Sequence, residues 1–281
     1  MIKFGPSGNS DAFRLSGYSE SIYSPKWVKD LNLDCFEYSF GRGVNLSTQK
    51  AEIIGNAFKE YGIELSIHAP YFINFAGLEE EKVNNSYGYL LDSLKFAKIM
   101  GSKRVVFHPS TKGKLSREEA VNLTIKRLSI LADKIERYGY SDMIICPETM
   151  GKMAQIGDEY EIAKFCTIAP FYYPCIDFGH LNSRKGGELK TPEDFIKILN
   201  VFESICGREK LEKLHIHFSK IMFSGKGEIK HLTFEDTTYG PEFKPLAIAI
   251  KEKNLSPYII CESSGTQDID AKEMKTIYNS L

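Results

Sequence analysis

The sequence lacks three features that would assign it to a simple class of protein. No uninterrupted apolar run approaches the roughly 18 residues of a membrane-spanning helix, so we predict no membrane partner. The 6 cysteines show no Cys-x-x-Cys spacing, which predicts reduced thiols in a cytoplasmic protein rather than a disulfide framework. The net charge is only −1, so the chain lacks the overall basicity that is common among nucleic-acid-binding proteins.

What the sequence does have is a regular alternation of strand and helix signals. Apolar runs predict buried parallel strands near residues 2–5, 33–38, 63–68, 103–108, 143–147, 172–177, 212–218 and 257–262. Amphipathic stretches predict helices near residues 47–61, 84–100, 116–138, 158–167, 191–204, 241–253 and 268–279. Since no linker interrupts the alternation, we predict one α/β domain over residues 1–281, folded as a (β/α)8 TIM barrel.

Histidines and carboxylates stand at the ends of six of these apolar runs. The residues are His68, His108, Glu148, Asp177 followed by His180, His215 with His217, and Glu262. A doubly wound open sheet would have to gather them in one crevice, whereas a barrel places all its strand ends on one face. The pattern therefore favours the barrel.

Imidazole and carboxylate groups together are the ligands of zinc and neighbouring divalent metals. Any one of these histidines alone would more often be a hydrogen-bonded structural residue, and each carboxylate could instead cap a helix or form an ion pair. Burying several carboxylates and imidazoles together without a cation, however, would impose a large desolvation and repulsion cost. The joint pattern predicts a metalloenzyme.

From about Glu64 to Glu262, the strand ends resemble the endonuclease IV family of apurinic/apyrimidinic endonucleases, within the xylose isomerase-like barrels. The resemblance implies that His68 and His108 bind a first zinc ion. Glu148, in Pro-Glu-Thr, resembles the carboxylate that bridges the first and second ions, and it is the predicted catalytic residue.

The same resemblance implies the other ligands of the second ion. These would be Asp177, His215 and Glu262. His217 has no counterpart among the family's ligands, so we expect it to be a supporting or structural residue.

A third ion is implied less directly. His180, in Asp177-x-x-His180, and His231 resemble its ligands. The family's Asp-x-His motif has Ile229 at its aspartate position here, and we expect the neighbouring Glu228 to turn inward and replace the carboxylate. The expected cofactor is thus two zinc ions, with a third ion in question and manganese as the alternative metal.

The segment after His68 resembles a loop with which the family enters damaged DNA. Tyr71 and Phe72 correspond to residues that lie beside the damaged nucleotide, and exposed aromatic rings can wedge between bases. The alternative is that the two rings simply pack at the mouth of the barrel. Arg42, between Gly41 and Gly43, is a further candidate for DNA contact.

The resemblance implies a zinc-dependent hydrolase acting in base excision repair, and we expect it to be a monomer. It would cleave the phosphodiester 5′ to an abasic site in double-stranded DNA. A sugar isomerase or epimerase with a single divalent metal is the alternative, and the near-neutral charge and Ile229 favour it. The pair His68 and His108, together with His180, favours the nuclease. A DNA-damage-binding module with a decayed site has little support, because the ligands of the first two ions are present.

Overall fold

Strands and helices alternate along the whole chain in the computed structural model, which describes residues 1–281. The strands are β1 (Lys3–Pro6), β2 (Cys35–Ser39), β3 (Glu64–His68), β4 (Arg104–Phe107), β5 (Ser110–Thr111), β6 (Ile144–Pro147), β7 (Gln155–Ile156), β8 (Cys175–Asp177), β9 (His215–Phe218), β10 (Ile221–Ser224), β11 (Gly227–His231) and β12 (Tyr258–Cys261). The helices are α1 (Asp11–Leu15), α2 (Ser24–Asp30), α3 (Thr48–Tyr61), α4 (Glu80–Ile99), α5 (Arg117–Arg137), α6 (Glu159–Phe165), α7 (Phe178–Arg184), α8 (Pro192–Cys206), α9 (Arg208–Glu212), α10 (Phe243–Glu252) and α11 (Gln267–Ser280). None of the helices has the length and apolar content needed to span a bilayer.

Eight of the strands form a closed parallel barrel. They make two four-stranded sheets, in the orders β1-β12-β9-β8 and β2-β3-β4-β6. Isolated parallel bridges join the sheets, with Ser7 opposite Glu37 on one side and Glu148 opposite Cys175 on the other. The predicted (β/α)8 fold is therefore confirmed, and the carboxyl ends of all eight strands meet at one face.

Local sequence chemistry accounts for the bounds of these elements. Helix α5 begins at Arg117 because Ser116 and Glu119 form a capping box. The Ser116 Oγ accepts from the Glu119 amide at 3.2 Å, and the Glu119 Oε2 accepts from the Ser116 amide at 2.8 Å. Strand β4 is buried along its whole length, as expected for a parallel strand covered by helices.

Closure of the barrel between β1 and β2 depends on a glycine. A Cβ atom added at Gly5 would lie 1.8 Å from the carbonyl oxygen of Cys35. The two backbones could not approach so closely with any other residue at this position. Gly5 therefore permits the packing of β1 against β2.

Two elements at the carboxyl face were not predicted. Helix α7 follows β8 without a loop, because the Asp177 Oδ1 accepts from the His180 amide at 2.7 Å and so caps the helix. Strands β10 and β11 form an antiparallel hairpin after β9. Both elements contribute side chains to the site described next.

Candidate metal centre

The predicted strand-end side chains converge on one cavity at the carboxyl face of the barrel, about 520 Å³ in volume. Its walls include His68, His108, His180, Glu228, His231 and Glu262. Glu148 and Asp177 are fully buried and lie within reach of these residues. The side chains form three groups, in each of which the potential ligand atoms lie within 4.8 Å of one another.

The first group consists of His68, His108 and Glu148. The Glu148 Oε2 lies 3.2 Å from His68 Nε2 and 3.3 Å from His108 Nε2. The other nitrogen of His68, Nδ1, lies 2.8 Å from the carbonyl oxygen of Ala69. A carbonyl only accepts, so Nδ1 carries the proton and Nε2 presents its lone pair to the group.

The second group consists of Glu148, Asp177, His217 and Glu262. His217 Nδ1 lies 3.4 Å from the Glu148 Oε1 and 3.5 Å from the Glu262 Oε1. Glu148 thus belongs to two groups, with one carboxylate oxygen facing each. This is the arrangement expected of a carboxylate that bridges two cations.

The structure corrects the assignment of His215 to the second group and replaces it with His217. Along β9, His217 pairs with Asp177 on the neighbouring strand, whereas His215 pairs with Cys175. Both histidines point into the barrel because they are two residues apart, but His215 lies one layer deeper. There its Nε2 lies 3.1 Å from the Oε2 of Glu37, away from the group.

The third group consists of His180, Glu228 and His231. His180 Nε2 lies 3.4 Å from the Glu228 Oε2, and His231 Nε2 lies 3.9 Å from the Glu228 Oε1. The Nδ1 atoms face other partners, the carbonyl oxygen of Thr149 at 2.9 Å and the Ser219 Oγ at 2.8 Å. The Glu228 carboxylate therefore faces both histidines of the third group.

A β-bulge explains how Glu228 reaches this place. In the hairpin, Met222 pairs with Lys230 and the next residue, Phe223, pairs with Glu228. Ile229 is thus an extra residue, and its side chain is 53% exposed. With Ile229 bulged out, Glu228 and His231 can present their side chains to the same side of the hairpin although they are three residues apart.

A glycine makes room for the Glu228 side chain. A Cβ atom at Gly151 would lie 2.7 Å from the Glu228 Cβ and 2.8 Å from the His180 Cδ2. In turn, a Cβ at Gly227 would lie 2.2 Å from the carbonyl oxygen of Gly151. The loop after β6 and the hairpin therefore cross at two glycines, and this close crossing brings Glu228 to His180.

The electrostatics of the groups reflect a dense set of opposite charges. Burial favours the neutral form of Glu148, but His217 and His108 outweigh it and hold the pKa of Glu148 well below its usual range. Burial lowers the pKa of His180, but Asp177 and other carboxylates outweigh it and raise that pKa well above its usual range. Burial raises the pKa of Asp177 to about 6. The carboxylates and the imidazoles of His180 and His217 thus stabilise each other's charged forms.

Several atoms of the second group suit a divalent cation. The Glu148 Oε1, the Asp177 Oδ2 and the His217 Nδ1 are buried and have no hydrogen-bond partner. Buried polar atoms without partners are rare and costly, and a cation would satisfy all three at once. The donor set of imidazole nitrogen and carboxylate oxygen is compatible with zinc and also with manganese.

The residues predicted to contact DNA lie at different distances from the groups. Tyr71 is 55% exposed, and its ring lies 5.2 Å from that of His68 and 5.4 Å from that of His108, between ring centres. Phe72 is equally exposed but faces a neighbouring cavity, where its ring is 6.3 Å from that of Tyr89. Arg42 is exposed and does not line the central cavity.

Two residues near the groups were not singled out from the sequence. Glu37 is fully buried inside the barrel and contacts both His215 and His217. The signal was a lone carboxylate within the apolar run of β2. Lys152 lines the cavity wall beside the third group, and no sequence pattern distinguishes it from other exposed lysines.

Sequence comparisons relate this chain to known proteins along most of its length. The family described as Xylose isomerase-like TIM barrel matches residues 25–279. An uncharacterised protein of Methanocaldococcus jannaschii is 34% identical over 256 residues, which cover 90% of this chain and 90% of that protein. A probable endonuclease 4 of Aquifex aeolicus is 25% identical over 255 residues, covering 83% of this chain and 88% of that protein.

Solved structures share the fold with this chain. Endonuclease IV from Thermus thermophilus superposes with a TM-score of 0.72 at 18% identity, covering 99% of this chain and 100% of that chain. A D-tagatose 3-epimerase-like protein superposes with a TM-score of 0.74 at 18% identity, covering 99% of this chain and 97% of that chain. At such low identity these similarities establish the barrel fold and do not choose between the two activities.

Proposed function

This chain belongs to the xylose isomerase-like TIM barrel family, and we propose that it is a metal-dependent endonuclease that hydrolyses the DNA phosphodiester 5′ to abasic sites. The position of Glu148 is the observation that carries this proposal. Its Oε2 faces His68 and His108, and its Oε1 faces His217. A carboxylate that faces two ligand groups in this way suits a centre with two or more cations, whereas a single cation in either group would engage only one of its oxygens.

The three groups have the donors to hold two or three zinc ions, or manganese ions in their place. Bound there, such ions would supply Lewis-acid stabilisation of negative charge on a phosphodiester and would lower the pKa of water. The protein itself holds the side chains of the ligands in fixed orientations. Nδ1 of His68 and of His180 is held by a backbone carbonyl oxygen, so each Nε2 is directed into its group.

The residues around the cavity suit a damaged duplex as partner. Tyr71 exposes its ring beside the cavity mouth and Phe72 exposes its ring over the neighbouring cavity, and both rings could stack on bases near the lesion. Lys152 in the wall and the exposed Arg42 add positive charge that would contact phosphates. We propose double-stranded DNA with an abasic site as the substrate and a monomer as the acting form.

A sugar epimerase is the second candidate, because the D-tagatose 3-epimerase-like protein has the same fold. It would use one cation, in the group of Glu148, Asp177, His217 and Glu262. That mechanism gives no role to the pair His68 and His108 or to the third group. The extra groups therefore favour the nuclease.

The test combines elemental analysis with two activity assays on the same purified protein. We expect two or three divalent ions per chain and cleavage of a duplex containing one abasic site, with an undamaged duplex as the matched control. The cut should lie on the 5′ side of the lesion. A single bound ion together with epimerisation of a ketose, and no cleavage of the abasic duplex, would replace the nuclease with the epimerase.

A further inference from the structure

We propose that Glu37 is a positioning residue that orients the ring of His217 for metal binding. Glu37 lies in the middle of β2, is fully buried, and has its Oε1 2.9 Å from His217 Nε2. The opposite nitrogen, Nδ1, lies 3.4 Å from Glu148 in the second group. The inference rests on the metal centre of the proposed function but does not depend on nuclease activity.

His217 differs from the other histidines of the centre in the nitrogen that faces the ligand group. In His68, His180 and His231, Nδ1 faces a carbonyl or hydroxyl oxygen, and Nε2 faces the group. In His217 the ring is reversed, so Nε2 needs an acceptor inside the barrel. The Glu37 Oε1 is the oxygen within reach of that nitrogen, and both atoms are buried without another partner. A proton on Nε2 directed at Glu37 would leave the Nδ1 lone pair free for a cation.

Glu37 is itself held in place from two sides. The Ser66 hydroxyl, on the neighbouring strand β3, donates to the Glu37 Oε2 at 2.8 Å. His215 Nε2 lies 3.1 Å from the same oxygen. Of the two histidines of β9, His217 faces the ligand group. His215 lies against the carboxylate of Glu37, which orients His217.

The charge of Glu37 has a second effect on His217. A carboxylate beside one ring nitrogen increases the electron density at the other, which makes that nitrogen a stronger metal ligand. A neutral amide of the same shape would keep the packing but lose much of this effect. Glu37→Gln therefore separates the positioning role from a purely structural one.

The first experiment measures zinc affinity by competition with a chelator for the whole purified protein. Glu37→Gln should weaken the binding of one ion by about 10- to 100-fold and leave the other ions unchanged. Glu159→Gln is the matched control, because Glu159 is also a buried carboxylate paired with a cation, Lys185, but lies outside the three groups. Equal affinity in wild type and Glu37→Gln, or equal losses in the two variants, would overturn the proposal.

The second experiment needs no Glu37 variant and so remains informative if Glu37→Gln fails to fold. In zinc-loaded wild type with nitrogen-15-labelled histidine, NMR reports which ring nitrogen carries the proton, and His217→Asn assigns the signal. We expect the proton of His217 on Nε2 and the metal on Nδ1. The reverse arrangement, or a wild type that binds no ion, would overturn the proposal.

Cobalt substitution tests a rival role for the same buried residues. Cys175, His215 and His217 also lie within ligand distance of one another. If they held a buried ion, the cobalt protein would show a thiolate charge-transfer band that is lost in Cys175→Ser, and that result would overturn the positioning role of Glu37. We expect no such band. Bound ions without cleavage of abasic DNA would overturn the proposed function and leave this inference standing.

Discussion

Polar side chains are buried at both ends of the barrel, but their surroundings differ. At the amino end, the Arg104 guanidinium lies over the Tyr258 ring at 4.6 Å and donates to the carbonyl oxygen of Lys213 at 2.8 Å. At the carboxyl end, atoms of Glu148 and Asp177 are buried without any hydrogen-bond partner. The guanidinium of Arg104 thus has its partners within the protein, whereas the carboxylates at the carboxyl end have oxygen atoms that a further group would satisfy.

We infer that the polar side chains at the amino end stabilise the barrel, whereas those at the carboxyl end serve its function. A buried polar atom without a partner costs about 1–3 kcal/mol, so the carboxyl end carries a penalty that bound cations would offset. Size alone does not identify the site, because the cavity at the amino end is larger, about 660 Å³ against 520 Å³. None of the three ligand groups lines that larger cavity.

The largest effect is expected from Glu148→Gln, which removes the shared charge at the carboxyl end. The amide keeps the shape but cannot balance two cations, so cleavage of an abasic duplex should fall by more than about 100-fold. Elemental analysis should show that ions of the first and second groups are lost. Glu64→Gln at the amino end, which removes the partner of Lys3, should leave metal content unchanged. Activity within a few-fold of wild type would contradict the bridging role of Glu148.

The next-largest effect is expected at the amino end, where a substitution should lower stability without changing metal content. Arg104→Met removes a charged hydrogen bond and a cation–π contact, which should lower the free energy of unfolding by roughly 3 kcal/mol. Urea denaturation measures this loss. Metal content should not change, because Arg104 belongs to none of the three groups. A fall in metal content with unchanged stability would contradict the division between the two ends.

The fold and the general place of the site were predictable from the sequence. Parallel strands are buried on both faces, so they appear as continuous apolar runs, and each run ends where the barrel opens. A histidine or carboxylate at that point marks the carboxyl face. This is why residues such as His68, His108 and Glu148 are brought together as expected.

The depth of a side chain within the barrel was not predictable. His215 and His217 share one face of β9 because side chains alternate with a period of two, so the pattern cannot tell which lies nearer the opening. The pairing of β9 with β8 determines which histidine lies nearer the opening, and this pairing cannot be read from the sequence of β9 alone. The expectation that Glu228 turns inward depended on the family's motif, because a bulge at Ile229, which brings Glu228 into place, cannot be read from the sequence.

A smaller effect is expected at the rim of the carboxyl end. Replacing Tyr71 and Phe72 together by alanine should weaken binding to an abasic duplex by about 1–3 kcal/mol, the scale of lost base stacking. Metal content should stay the same, since neither ring is a ligand. Fluorescence anisotropy measures the binding, and Tyr160→Ala, which removes another exposed aromatic ring, is the control. Unchanged binding in the double variant would mean that the two rings only pack at the mouth.

The smallest effect is expected at the crossing of Gly151 and the hairpin. An alanine Cβ at Gly151 would lie 2.7 Å from the Glu228 Cβ, so the hairpin must move away from His180. Affinity for one ion should fall by roughly tenfold, or about 1.4 kcal/mol, while the ions around Glu148 are retained. Glu228→Ala should lose that same ion outright.

Gly88→Ala is the matched control for Gly151→Ala, because Gly88 lies within α4 and a Cβ there would contact nothing within 4 Å. It should leave metal binding unchanged and raise the free energy of unfolding by up to about 1 kcal/mol, since alanine favours the helix. Chelator competition and urea denaturation measure the two quantities. If Gly151→Ala binds every ion as wild type does, the hairpin is not held by this crossing, and Glu228 must reach the third group by another constraint. If Gly151→Ala instead loses the ions around Glu148, the first and second groups depend on the position of the hairpin, and the three groups do not bind ions independently.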